Sequence, residues 1–210
     1  MDDDNETDQR APHRCARPPP AAPPPPPPAA AAARRRRSPR SPRPPRRRSP
    51  NAPCSGAALR ALGILCWRMD ADAYPGDAKL AAIRAVRGYS YEDVVEVSPA
   101  AVGGYAEKLK AFYEEHLHAD EEIRYVLDGA GFFDVRDLED RWVRIWCRRG
   151  DLIVLPEGIY HRFTLDAGDR VRALRLFVGE PVWTPHNRPQ EAHPSRAKYA
   201  AAVAAARAAA

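Results

Sequence analysis

Four side chains in one short stretch have the types and spacing to hold a metal ion and something bound to it. His116 and His118 are two apart, Glu122 comes four residues later, and Arg124 two beyond that. Residues two apart on a β-strand share a face, so the two imidazoles point the same way. If the chain resumes as a strand after a short turn, Glu122 and Arg124 return to that face. Two imidazoles, a carboxylate and a guanidinium facing one interior are costly to bury unless something binds them. A divalent metal is the natural occupant. His161, behind Pro156-Glu157-Gly158-Ile159-Tyr160, would bring a third imidazole from a later strand. Three neutral imidazoles and one carboxylate suit iron(II), nickel(II), manganese(II) or zinc, and ligand type alone ranks them poorly. Arg124 shares the strand parity of Glu122 and could neutralise an anionic substrate with paired hydrogen bonds. The plainer reading of Arg124 is a salt bridge to Glu115 or Glu121.

The elements that must position these residues begin near Ser55. Ala57 to Leu62 reads as a short helix, and Ile64 to Met69 extends it or forms a strand. Asp77 to Arg87 places Leu80, Ile83 and Val86 three apart, an amphipathic helix that Gly88 stops. Tyr91 to Val97 is a strand, and Ala101 to Tyr113 a helix with Leu109 and Phe112 on one side. After His116 the chain is β-rich. Glu122 to Asp128 and Phe132 to Arg136 read as a hairpin around Gly129-Ala130-Gly131. Trp142 to Arg148, Leu152 to Leu155, His161 to Leu165 and Val171 to Val178 follow. Short strands at roughly ten-residue spacing indicate a sandwich or barrel. The fold class is therefore mainly β with peripheral helices. The Ala-rich tail 196–210 reads as a surface helix that frays. His13, His186 and His193 sit in polar, proline-flanked segments and read as surface residues.

Residues 1–53 differ sharply from the rest. They hold 16 of the 23 prolines, with 12 arginines against 5 acidic residues. The remaining chain has 21 basic and 23 acidic residues, so the basic pI belongs to the leader. A basic patch on the body, as nucleic-acid binding would need, is not implied. Residues 15–53 read as a disordered Pro/Arg/Ala-rich insertion, either a nuclear address or an unselected segment. The four cysteines form no CxxC pair, which argues against a zinc ribbon or a disulfide framework and fits a reducing compartment. No apolar run is long enough to span a membrane, and the acidic N-terminus lacks the apolar core of a secretory signal.

His116-x-His118-x3-Glu122-x6-Gly129 is similar to the first cupin motif, and Gly150-x5-Pro156-x-Gly158-x2-His161 to the second. That resemblance implies a cupin β-barrel, a double-stranded β-helix or jelly roll, with His116, His118, Glu122 and His161 on one metal. FYEEHLHADEEIRYVLDGAGFFDVRD, GDLIVLPEGIYHRFTLD and RLFVGEPVWTPHNRP further resemble the acireductone dioxygenase family of methionine salvage, in its eukaryotic type. So do LCWRMDADAY, IRAVRGYSYEDVVEV and the opening MDDDNETDQRAPHR. The chain then divides into a family-like segment 1–14, the insertion 15–53, a cupin domain 54–195 and the tail 196–210. The resemblance implies Fe(2+) or Ni(2+), one per chain, and an acireductone cleaved with O2. Around an octahedral ion, four protein ligands leave two positions that a vicinal enediolate could fill. It also implies substrate contacts from Arg124, Phe112, Phe163 and Trp183, and a monomer in the cytoplasm and nucleus with a possible protein partner. The alternative from another class is a cupin-fold regulatory protein that binds a nuclear or membrane-protein partner.

Overall fold

The computed structural model describes residues 54–208. The expectations for 1–14 and 15–53 lie outside the described residues. Among those residues the helices are α1 (Gly56–Ala61), α2 (Ala78–Arg87), α3 (Tyr105–Tyr113) and α4 (Pro194–Ala208). The strands are β1 (Leu65–Arg68), β2 (Tyr91–Val97), β3 (His116–Leu117), β4 (Glu122–Arg136) and β5 (Trp142–Arg148). They continue with β6 (Asp151–Leu155), β7 (His161–Leu165), β8 (Val171–Phe177) and β9 (His186–Asn187).

Two antiparallel sheets share β4, and this strand organises the barrel. Its first half pairs with β6 and β8, and its second half with β5 and β7. The pairing extends through β6 to β1, through β8 to β2, and through β7 to β3 and β9. The expected hairpin at 129–131 is absent, because β4 runs straight through it. A register shift against β8 between Val126 and Asp128 inserts a bulge instead. Gly129 sits there at φ +72°, and a Cβ on it would stand 2.1 Å from the Arg170 carbonyl oxygen. The glycine bends the strand from one sheet to the other rather than reversing it.

The bulge also exchanges the faces of the strand. Before it Val126 faces the barrel interior, while after it Phe133 and Val135 do. They pack there with Val97, Ile145, Cys147, Ile153, Leu155 and Leu165. The opposite face of the first half carries Ile123, Tyr125 and Leu127, which meet Leu152, Val154, Leu174 and Leu176 under α2. Leu80 of α2 joins that second cluster and Ile83 borders it, but Val86 is 88% exposed. Asp77 caps the helix start by accepting from Lys79 N and Leu80 N, and Gly88 closes it in the left-handed region.

Helix α3 is shorter than expected, starting at Tyr105, and lies against β7 with Leu109 and Phe112 toward the interior cluster. The tail differs from expectation more. Helix α4 starts at Pro194 and buries Ser195, Tyr199 and Val203. The Tyr199 hydroxyl donates to Leu62 O at 3.2 Å, and Ser195 Oγ donates to Ala119 O at 3.3 Å. An Ala-rich composition hid these two anchors, which dock the helix against α1 and the loop after β3. No helix among the described residues is long and apolar enough to cross a membrane.

Candidate metal centre

The four predicted donors converge. His116 lies on β3, His118 just beyond it, Glu122 opens β4 and His161 opens β7. His116 and His161 are cross-strand partners, which brings the two motifs together. One ligand atom from each residue falls within 4.8 Å of all the others. The imidazole centroids are 4.5, 5.0 and 5.5 Å apart. His116, Glu122 and His161 are buried, and His118 is partly exposed.

Backbone carbonyls fix each ring. His116 Nδ1 lies 2.7 Å from Glu114 O, His118 Nδ1 3.1 Å from Thr184 O, and His161 Nδ1 3.0 Å from Ile159 O. A carbonyl can only accept, so each Nδ1 donates and each Nε2 is left for the centre. Glu115 and Glu121, which flank the ligands in sequence, are both engaged elsewhere. Glu115 accepts from Arg136 and Arg188, and Glu121 from Arg87 and the Tyr89 hydroxyl.

The electrostatics favour a cation among the donors. Burial, then the neighbouring His161, lowers the His116 pKa to about 4, so this imidazole stays neutral and available. Burial opposes charge on Glu122, but Arg124, His118 and His161 outweigh it and hold the carboxyl well below its usual range. His118 is likewise desolvated, yet its bond to Glu122 raises its pKa. Glu122 lies 3.1 Å from His161 Nε2 and 3.2 Å from His118 Nε2. The same carboxylate oxygen, Oε2, faces both ring nitrogens, in the space a divalent ion would take. The donor set therefore fits such an ion, as neutral imidazoles with one charged carboxylate should.

Arg124 pairs with Glu122 at 3.2 Å, not with Glu115 or Glu121, and also donates to Ile123 O. Its cross-strand partner is Arg175, which sequence reasoning missed. Arg175 is chelated by Asp93 and stacked 3.6 Å from the Trp183 ring centroid. Parity alone would have placed Arg175 on one face of β8, but the register against β4 is not legible in a sequence. Trp183, 40% exposed, packs edge-on to Phe177. Phe112 and Phe163 meet edge-to-face at 6.4 Å. Phe133, also missed, lies 4.9 Å from Phe163 and 6.5 Å from His161, linking both to the centre. His186 and His193 are not simple surface residues: they are half-buried, with their rings tilted against each other at a centroid distance of 4.4 Å, apart from the donor set. A separate cavity of about 380 Å³ is lined by Tyr89, Glu121, Phe177 and Tyr199 among others, and by none of the four donors.

Comparison with known proteins agrees with this geometry. The family described as ARD/ARD′ matches residues 35–185. Acireductone dioxygenase 3 of Physcomitrium patens is 60% identical over 157 residues, covering 75% of this chain and 77% of the relative. Acireductone dioxygenase of Rattus norvegicus is 54% identical over 158 residues, covering 75% and 88%. Among solved structures, acireductone dioxygenase from Bacillus anthracis, with a cadmium ion in its active centre, superposes with a TM-score of 0.57. It shares 26% identity, and the match covers 64% of this chain and 92% of that one. The barrel is thus of cupin type and its donor set a divalent-metal site, and the chain belongs to the ARD/ARD′ family.

Proposed function

We propose that this protein is an acireductone dioxygenase, cleaving 1,2-dihydroxy-3-keto-5-methylthiopentene with O2 in methionine salvage. The observation that carries the reading is the meeting of His116, His118, Glu122 and His161 within 4.8 Å in a chain of this family. In this reading the ion is iron(II), and the products are formate and 4-methylthio-2-oxobutanoate. Nickel(II) on the same ligands gives methylthiopropionate, formate and carbon monoxide. When bound, the divalent ion supplies Lewis-acid stabilisation of the anionic substrate and brings it together with O2.

The side chains around the ion orient and confine the substrate. Arg124 offers its guanidinium to the enediolate oxygens, and Glu122 beside it keeps that cation charged although burial lowers its pKa. Arg175 is held by Asp93 and adds positive potential from the facing strand. Phe112 and Phe163 seat the methylthio group through sulfur–ring contacts, and Trp183 covers the outer side. The protein acts as a monomer in the cytoplasm, and the Arg/Ser-Pro segment 15–53 adds a nuclear address.

Metal analysis of the purified protein, combined with product identification, tests the reading. Iron with keto acid and no carbon monoxide is the expected result. Carbon monoxide release would reassign the ion to nickel, and no oxygen uptake with acireductone in any metal form would overturn the activity. Identical distribution of full-length protein and a variant lacking 15–53 would remove the nuclear address.

A further inference from the structure

We infer that Gly131 sets the depth of the chamber for the substrate's apolar tail, by leaving room for the Phe163 ring. The inference rests on the acireductone reading above for the identity of that tail.

The registers of β4 and β7 form a ladder leading away from the metal centre. Val135 faces His161, Phe133 faces Phe163, and Gly131 faces Leu165. Phe163 leans down this ladder, away from the imidazoles. A Cβ on Gly131 would lie 2.3 Å from its Cζ and 2.6 Å from its Cε2. Gly131 is not among the positive-φ glycines, so what the site requires is the missing side chain, not an unusual backbone. Behind the ring, Thr164 O is 2.9 Å from the same Cβ position and closes the space on the backbone side. A methyl at 131 therefore forces the ring up the ladder, toward Phe133, Phe112 and His161.

That movement matters because the ring, on the inward face, keeps part of its surface accessible to solvent. Phe163 belongs to the inward face, yet it is only partly buried, as are Phe112 and Val95 beside the interior cluster. The ring is thus a floor whose height above the metal donors is fixed by the absence of a Cβ two residues away from Phe133. A lower floor admits a longer tail, and a raised floor excludes the tail while leaving the reacting oxygens their place at Arg124. Gly131 is in this sense a positioning residue that selects for tail length.

The test uses full-length, metal-loaded protein and acireductones carrying a methyl, a methylthioethyl or a hexyl tail. Two readouts are taken: kcat/KM, and anaerobic binding by calorimetry. Metal content is measured in every variant. Gly131→Ala should discriminate against methylthioethyl relative to methyl by about tenfold or more, the scale set by one misplaced methylene. Phe163→Leu should shift preference toward hexyl, and Gly131→Ala/Phe163→Leu should regain the methylthioethyl substrate. Equal losses on all three tails, or no shift toward hexyl in Phe163→Leu, would overturn the inference. If Gly131→Ala does not fold, Phe163→Leu alone decides. If the wild type binds all tails anaerobically but turns over none, the activity reading fails, and the ranking of binding by tail length still decides the role of Gly131.

Discussion

Glu122 and Asp134 lie on the same strand, and each is shared by several cations, yet they do opposite things. Asp134, 1% exposed, accepts from Arg144 at 2.6 and 2.8 Å and from Arg162 at 2.9 Å. Aromatic rings seal those guanidiniums, with Arg144 over Phe132 and Arg162 between Trp142 and Tyr113. The cluster ties β4, β5 and β7 together with short, charge-assisted bonds and little freedom. Glu122 instead has contacts of 3.1 to 3.2 Å to two imidazoles and one guanidinium. Its partners are fixed from behind by carbonyls rather than drawn in by the carboxylate. A closed set of contacts holds a sheet together; a longer set around a charged carboxylate leaves its oxygens available to a divalent ion.

Substitutions at the two carboxylates can break or sharpen this contrast. Glu122→Ala should have the largest effect, abolishing stoichiometric metal binding in elemental analysis. Its turnover should fall by more than about a thousandfold, beyond the loss expected for one electrostatic donor. Asp134→Ala should bind its metal normally but lose about 3 kcal/mol of stability in urea unfolding, because two guanidiniums lose their buried partner. Loss of metal from Asp134→Ala at full stability would reverse the assignment of roles. Arg124→Lys should keep the metal and lower kcat/KM by about tenfold, a cost of ~1.4 kcal/mol for exchanging a bidentate donor for a point charge. Arg149→Ala should do least. It breaks a surface pair with Asp72, itself 81% exposed, and should change stability by less than about 0.5 kcal/mol in the same urea titration.

The sequence disclosed the metal centre more fully than the barrel around it. HxH followed by a glutamate carries its own geometry through the strand period, and His161 follows a Pro-x-Gly turn that starts the next strand. Register is not encoded locally, which is why Arg175, Asp93 and Phe133 could not be placed beside these residues. The glycines at 129 and 131 looked like a turn because they are adjacent to strands on both sides. Only the closeness of Arg170 and Phe163 shows that they bend a strand and yield space to a ring. The tail misled for a different reason. One tyrosine and one valine in an alanine run give a weak amphipathic signal, but both are buried.

The bulge near Asp128 acts as a phase change written into a single strand. Upstream, even-numbered residues such as Glu122, Arg124 and Val126 look inward; downstream, odd-numbered ones such as Phe133 and Val135 do. Inserting one residue between Glu122 and Val126 would turn the residues before it outward relative to those after it, emptying the centre of its carboxylate or its guanidinium. The same insertion beyond Arg136 would leave both in place. Length variation in this protein is therefore tolerated by position in the strand's phase, not by distance from the metal.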